Sequence, residues 1–213
     1  MSKEAKVILQ IDCDSEIAIS NHYGIQMEDR EDSLVYYNAL DQYLDLLKKY
    51  NLRATLFVVG ADLNCSRKCF ILRKAISQQH EIANHTYQHP VALRRESPAQ
   101  LQKELEDTDE IIKRKLKVVP RGFRAPNFEA DQRTLPILKA MNYEYDCSVL
   151  PTPYLPLIQR LKKKDAGDAG YLGNWQYMLA PRAPYYPRED VIWKADRTKH
   201  PNLLLELPVS TFP

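Results

Sequence analysis

A chain of 213 residues, 44% hydrophobic and 27% charged, has the length for one substantial core and the composition of an ordinary globular protein, which argues against disorder. Thirty Lys and Arg against 28 Asp and Glu leave a formal net charge of +2, without the basic block that marks a nucleic-acid-binding arm; the tightest run, Lys162, Lys163 and Lys164, reads as a solvated loop. No stretch is apolar enough to span a bilayer and no signal-peptide core precedes Asp12, so the expectation is a cytoplasmic protein whose four cysteines, Cys13, Cys65, Cys69 and Cys147, are reduced thiols.

Residues 6–11 form an apolar run that ends in charge, the pattern of a buried strand delivering Asp12 to a surface. A polar excursion through His22 and Gly24 follows. A helix is expected from near Ser33, with Tyr37, Leu40, Leu44 and Leu47 on one face and a stop at Asn51. Residues 53–59 read as a second buried strand closed by Gly60, and residues 66–79 as a helix carrying Ile71, Leu72, Ala75 and Ile76. Cys65 and Cys69 flank its start; with no second pair nearby they read as structural rather than as half of a zinc site.

A short strand over residues 81–84 leads directly into His85. Ser97-Pro98-Ala99-Gln100 has the form of a capping box with proline at the first helical position, opening a helix whose face is Leu101, Leu105, Ile112 and Leu116. Residues 121–124 make a strand ending in Ala125-Pro126-Asn127, residues 131–141 a helix and residues 143–146 another strand. This alternation predicts parallel strands with outer helices, with function gathered at the C-terminal ends of the strands. From Pro151 onward the character changes: nine of the 14 prolines lie there with Trp175 and Trp193, which predicts ordered loop, and residues 203–209 return to a buried strand.

Along a strand ending in Asp12-Cys13-Asp14, a period of two puts both aspartates on one face and Cys13 on the other, in packing. Two carboxylates at one mouth repel unless a cation or a proton lies between them, although taken alone the pair reads first as a turn or helix-capping motif. His85-Thr86-Tyr87-Gln88-His89-Pro90 brings two imidazoles four residues apart, a spacing that in a helical turn aims both rings at one point. Two imidazoles and a carboxylate would leave coordination positions open for water and substrate, as in catalytic sites.

Asp12-x-Asp14, the His85-Thr86-x-x-His89-Pro90 run and Phe123-Arg124-Ala125-Pro126-Asn127-Phe128 resemble, in order and spacing, the successive motifs of the NodB-type polysaccharide deacetylases. Ala54 to Gly60, Tyr145-Asp146-Cys147-Ser148, Ala183 to Pro187 and Glu206-Leu207-Pro208-Val209 extend the likeness over nearly the whole chain. The resemblance implies a distorted, incomplete (β/α) barrel forming a single α/β catalytic domain. It implies one divalent metal ion on Asp14, His85 and His89, zinc by default with cobalt, manganese or iron as alternatives. It also implies Asp12 as general base held by Arg124, and the backbone N–H of Asn127 facing the oxyanion. Without it, Arg124 would read as an ordinary surface or ion-pair arginine.

Two departures stand out. Cys13 separates aspartates that the family more often has adjacent. The family's late motif with a catalytic acid histidine has no counterpart up to Pro213, since His200 in Lys199-His200-Pro201 precedes the Glu206-Leu207-Pro208 segment; the expectation is a shortened form or an acid supplied from elsewhere. The implied substrate is an acetamido sugar or polysaccharide. A non-sugar amide such as a cyclic ureide, or a non-catalytic metal- or carbohydrate-binding role, stands as the alternative, and a homo-oligomer is compatible with either.

Overall fold

The computed structural model describes residues 7–22, 25, 27, 33–154, 174–198 and 204–210. Its sheet has six strands: β1 (Leu9–Cys13), β2 (Ala54–Val58), β3 (Glu81–Asn84), β4 (Gly122–Phe123), β5 (Tyr145–Asp146) and β6 (Leu205–Glu206). All five pairings are parallel and follow sequence order, so the sheet curls into the expected half-barrel with every C-terminal strand end on one rim. Every residue of β2 is buried, as a central strand covered on both faces requires.

Among the described residues five α-helices accompany the strands: α1 (Glu16–His22), α2 (Asp41–Lys49), α3 (Ser66–Ser77), α4 (Pro98–Leu116) and α5 (Thr134–Ala140). Leu56, Val58 and Ile82 join Leu44, Leu72 and Ile112 in one core, while Phe123 joins Leu105, Leu135, Tyr143, Tyr177 and Leu204 in a second. The opposite pleats of the strands carry Phe57, Ala83 and Cys147 into a small third cluster inside the curl. At Gly122 any Cβ would fall 2.1 Å from the Tyr145 ring, so the glycine is what lets that ring lie across β4.

The capping box forms as expected: Ser97 Oγ accepts from Gln100 N at 3.2 Å, Gln100 Oε1 accepts from Ser97 N at 3.1 Å, and α4 stops at Lys117 with φ 61°. Asn51 likewise ends α2 in the left-handed region, at φ 52°. Other boundaries moved. The polar excursion begins with α1, seven residues long and too short for a periodic stripe to show over two turns. Ahead of α2, Val35–Leu40 is a π-helix in which Tyr36 is fully buried and Tyr37, the expected core position, packs against the same core while partly exposed. Glu16 helps set this start, its carboxylate accepting from Val35 N at 2.9 Å and from Ser33 Oγ at 2.6 Å.

α5 starts later than expected because Asp131 turns back to cap Arg133 and Thr134, whose backbone N–H groups it receives at 2.9 and 3.0 Å. β4, β5 and β6 pair over two residues each, shorter than the apolar runs around them. Beyond Pro151, a 3-10 helix spans Trp175–Leu179, and Tyr185 exchanges backbone hydrogen bonds with Glu206 at 3.1 and 2.8 Å, bringing together two of the motif segments. The Lys162 to Lys164 run, Lys199-His200-Pro201 and Leu203 lie outside the described residues. No helix among the described residues is long and apolar enough to cross a membrane.

Candidate metal centre

Asp12 and Asp14 leave the end of β1 on the inner side of the rim, while Cys13, 1% exposed, packs into the core and offers its carbonyl to Tyr36 Oη at 3.3 Å. Asp14 Oδ1 lies 3.3 Å from His85 Nε2 and 3.5 Å from His89 Nε2, and the two imidazoles meet edge-on with centroids 5.1 Å apart. All three donor atoms fall within 4.8 Å of one another, the one such cluster among the described residues.

The chemistry of this set asks for a cation. His85 Nδ1 bonds the backbone carbonyl of Arg124 at 2.7 Å; a carbonyl can only accept, so Nδ1 carries the proton and the neutral ring turns its Nε2 lone pair toward Asp14. Lone pair then faces carboxylate in a buried pocket, which is repulsive until a proton or metal ion intervenes. Ligand atoms about 2.1 Å from a tetrahedral centre lie roughly 3.4 Å apart, matching the two distances to Asp14. Burial opposes charge on His85, yet Asp14 and Asp12 outweigh it and raise its pKa; burial likewise pushes Asp14 up, and His85, His89 and Arg124 more than reverse this.

The histidine segment is not the helical turn that the spacing suggested. It is an irregular loop in which Thr86 and His89 take left-handed conformations, φ 65° and 53°, unfavourable for a β-branched residue and held only by surrounding structure. That structure is dense. Gly60 N and Ala61 N donate to the carbonyls of Thr86 and Tyr87, each at 2.9 Å, and Glu104 Oε2 accepts from the backbone of both Tyr87 and Gln88 at 2.8 Å. Beneath the loop, Asn84 Oδ1 receives Thr86 N at 2.8 Å while its Nδ2 faces Leu105 O, Asp109 and Tyr143 Oη. Of these supporting residues only Gly60 lies in a segment that extends the family likeness; Asn84, as the last residue of a strand before a histidine, is the other whose position could have drawn notice.

Arg124, 4% exposed, is buried rather than superficial. Its Nη1 donates to Asp12 Oδ1 at 2.5 Å, its Nη2 to Gln10 Oε1 and its Nε to the Cys147 carbonyl at 3.1 Å, while the guanidinium stacks 4.3 Å above the Phe57 ring. Asn127 and Phe128 follow in left-handed turns, φ 53° and 57°, with the Asn127 amide donating to Val91 O at 3.3 Å. Behind Arg124, Asp146 and Glu206 face each other across β5 and β6, both 0% exposed. Burial pushes Asp146 up to about 6 despite the Ser148 hydroxyl 2.5 Å away, and burial together with the Asp146 charge pushes Glu206 up as well. The same Ser148 hydroxyl accepts from Ala125 N at 2.8 Å, tying the pair to the loop after β4.

The polysaccharide deacetylase family profile matches residues 32–145, more than half of the chain. The chain belongs to this family. The matched stretch contains His85, His89, Arg124 and Asn127, and the fold adds Asp12 and Asp14 to them from outside it. A peptidoglycan-N-acetylglucosamine deacetylase of Bacillus cereus is 30% identical over 100 residues, covering 47% of this chain and 35% of that protein. A chitooligosaccharide deacetylase of Bradyrhizobium sp. is 33% identical over 84 residues, covering 39% of this chain and 37% of that protein. The match thus spans little more than a third of the length of each relative. A solved structure from Mycobacterium smegmatis, assigned to the polysaccharide deacetylases, superposes with a TM-score of 0.64 at 21% identity over 95% of this chain and 58% of that one, a likeness of fold.

Proposed function

We propose that this polysaccharide deacetylase family member removes acetyl groups from an N-acetylated sugar, with a divalent ion, zinc by default, on Asp14, His85 and His89. The observation that carries the reading is the pairing of Asp12 with Arg124 at 2.5 Å beside a three-donor metal set. An ion there would polarise the acetamide carbonyl and acidify a water molecule.

Asp12 accepts the proton of the attacking water through Oδ2, since Oδ1 is engaged by Arg124. Arg124 keeps that carboxylate oriented, and its own position is fixed by the Cys147 carbonyl and the Phe57 ring. The backbone N–H of Asn127 donates to the oxyanion that develops on the substrate. Acetylated sugar substrates are supported by the relatives that act on peptidoglycan and chitooligosaccharides. Elemental analysis of the purified protein, paired with acetate release from chitooligosaccharides after zinc loading, tests the reading. One ion per chain with acetate release is expected; one ion with no release from any acetylated glycan would overturn it.

A further inference from the structure

Between β2 and α3 the chain makes a short 3-10 helix, Gly60–Asn64. Its backbone is bonded to the histidine loop: Gly60 N and Ala61 N donate to the Thr86 and Tyr87 carbonyls at 2.9 Å, and Asn64 Nδ2 donates to Tyr87 Oη at 3.2 Å. From the middle of the same helix Asp62 turns inward. Its side chain, 5% exposed, pairs at 2.7 Å with the Nζ of Lys68, which is 1% exposed.

This pair lies under the stretch that carries Asp14. Lys68 Nζ stands 5.6 Å from the centre of the Tyr36 ring, and Tyr36 Oη donates to the carbonyl of Cys13, the residue before Asp14, at 3.3 Å. Ser15, the residue after it, is buried, and its carbonyl accepts from Ile19 N at 3.0 Å to start α1. Burial pushes the Asp62 carboxyl up; Lys68 draws it back, and after it the hydroxyls of Ser15 and Tyr36, which places both hydroxyls against the carboxylate. The same carboxylate raises the Tyr36 hydroxyl in return.

A buried ion pair contributes little net stability, because desolvation of the two charges offsets their attraction. A pair that served only to hold α3 to the 3-10 helix would also need no group from the end of β1. Here the neighbours of Asp14 on both sides, Cys13 through Tyr36 and Ser15 through its hydroxyl, lead to one carboxylate on the helix that holds the histidine loop. The gaps of 3.3 and 3.5 Å from Asp14 to the two imidazoles are thus spans between two segments that meet at Asp62.

We propose that Asp62, with its charge balanced by Lys68, is a positioning residue that sets the span between Asp14 and the two imidazoles and thereby the affinity of the centre for its ion. This rests on Asp14, His85 and His89 being the donors, as in the proposed function. Groups that orient metal ligands act on affinity through geometry, so a slackened anchor weakens ion binding without unfolding the chain.

Zinc affinity, read by competition with a chromophoric chelator, and thermal melting of the zinc-free protein test this on the full chain. Asp62→Leu combined with Lys68→Met replaces the pair by apolar side chains of similar size; melting should stay near that of the parent, and zinc binding should weaken by about tenfold or more. Ser15→Ala should weaken binding in the same way, and adding it to the paired substitution should weaken binding little further, because both cut one link. Parent-like affinity in the paired variant, losses that add in full, or a loss of zinc that only follows a fall in melting temperature would overturn the proposal. If the paired variant melts low, Ser15→Ala decides, and parent-like affinity there would overturn it. A parent that binds no zinc would overturn this proposal and the metal reading together. A parent that binds zinc and releases no acetate would overturn the deacetylase reading, while weaker zinc binding in the variants would still support the positioning role.

Discussion

Arg124 touches Asp12 with its side chain and His85 with its backbone, donating to the carboxylate at 2.5 Å and accepting from the imidazole at 2.7 Å. One residue therefore orients both the proposed base and a proposed metal ligand. Arg124→Ala leaves the backbone carbonyl in place and removes only the ion pair, so its metal content should stay near that of the parent. Turnover should fall by about two orders of magnitude or more, and stability by about 1–3 kcal/mol, because Arg124 is buried while the Asp12 side chain keeps 28% of its surface exposed. Metal analysis, acetate release and thermal melting on one preparation check the three expectations, and loss of the ion would refute the separation of roles.

Asp12→Asn and His85→Ala should fail in different ways. The first removes a proton acceptor outside the donor cluster, and should cost about 10²- to 10⁴-fold in turnover with the ion retained. The second removes a donor and should lose both. Elemental analysis distinguishes them; equal loss of metal in the two variants would contradict the assignment of Asp12.

The Asp146 and Glu206 pair makes a prediction about pH. Both carboxyls have folded pKa values raised above those of the unfolded chain, so the stability their protonation contributes is fully present below about pH 4 and is lost as pH rises through the folded value, about 6 for Asp146. Glu206→Gln keeps a neutral partner beside Asp146 and should flatten this fall. Melting temperatures of parent and variant, compared between pH 4 and pH 7, should converge at the acid end and separate toward neutrality. Parallel curves would mean that no proton is shared.

At Gly60 a Cβ would stand 2.6 Å from Tyr87 Cδ2, 3.0 Å from Thr108 Oγ1 and 3.2 Å from Tyr87 Cα. Gly60→Ala should therefore displace the histidine loop from outside the proposed metal set, costing about 1–3 kcal/mol of stability and weakening the binding of a divalent ion. Competition with a fluorescent chelator reads the second effect, and unchanged affinity would show that the loop yields without moving its rings.

Ser97→Ala serves as the counterpart. Loss of the cap should cost about 1 kcal/mol and leave metal affinity and turnover where they were, as measured by melting and acetate release.

Much of this was legible because it depends on period and punctuation. Runs of buried residues separated by helical stripes disclose the parallel sheet, and Ser97 with Gln100 discloses the start of α4 to the residue. The motif residues were legible by type and order. How His85 and His89 converge was not, because left-handed Thr86 and His89 are imposed by Gly60, Glu104 and Asn84 from three separate elements. The π-turn before α2 was hidden for a similar reason: Tyr36 and Tyr37 both reach the core, and the one buried completely is the one that meets the Cys13 carbonyl on another element. Burial of Arg124 and the partnership of Asp146 with Glu206 join strands far apart in the chain, which no local pattern records.

The sequential order of the strands also divides the centre between separate stretches of the chain. Asp14, His85 and His89 stand at the ends of β1 and β3, and the loop that shapes the two histidines also needs Glu104 of α4. The carbonyl that selects the His85 tautomer and the guanidinium that steadies Asp12 arrive together with the fourth strand. A change that loosens β4 would thus reach the centre without touching any of its three donors.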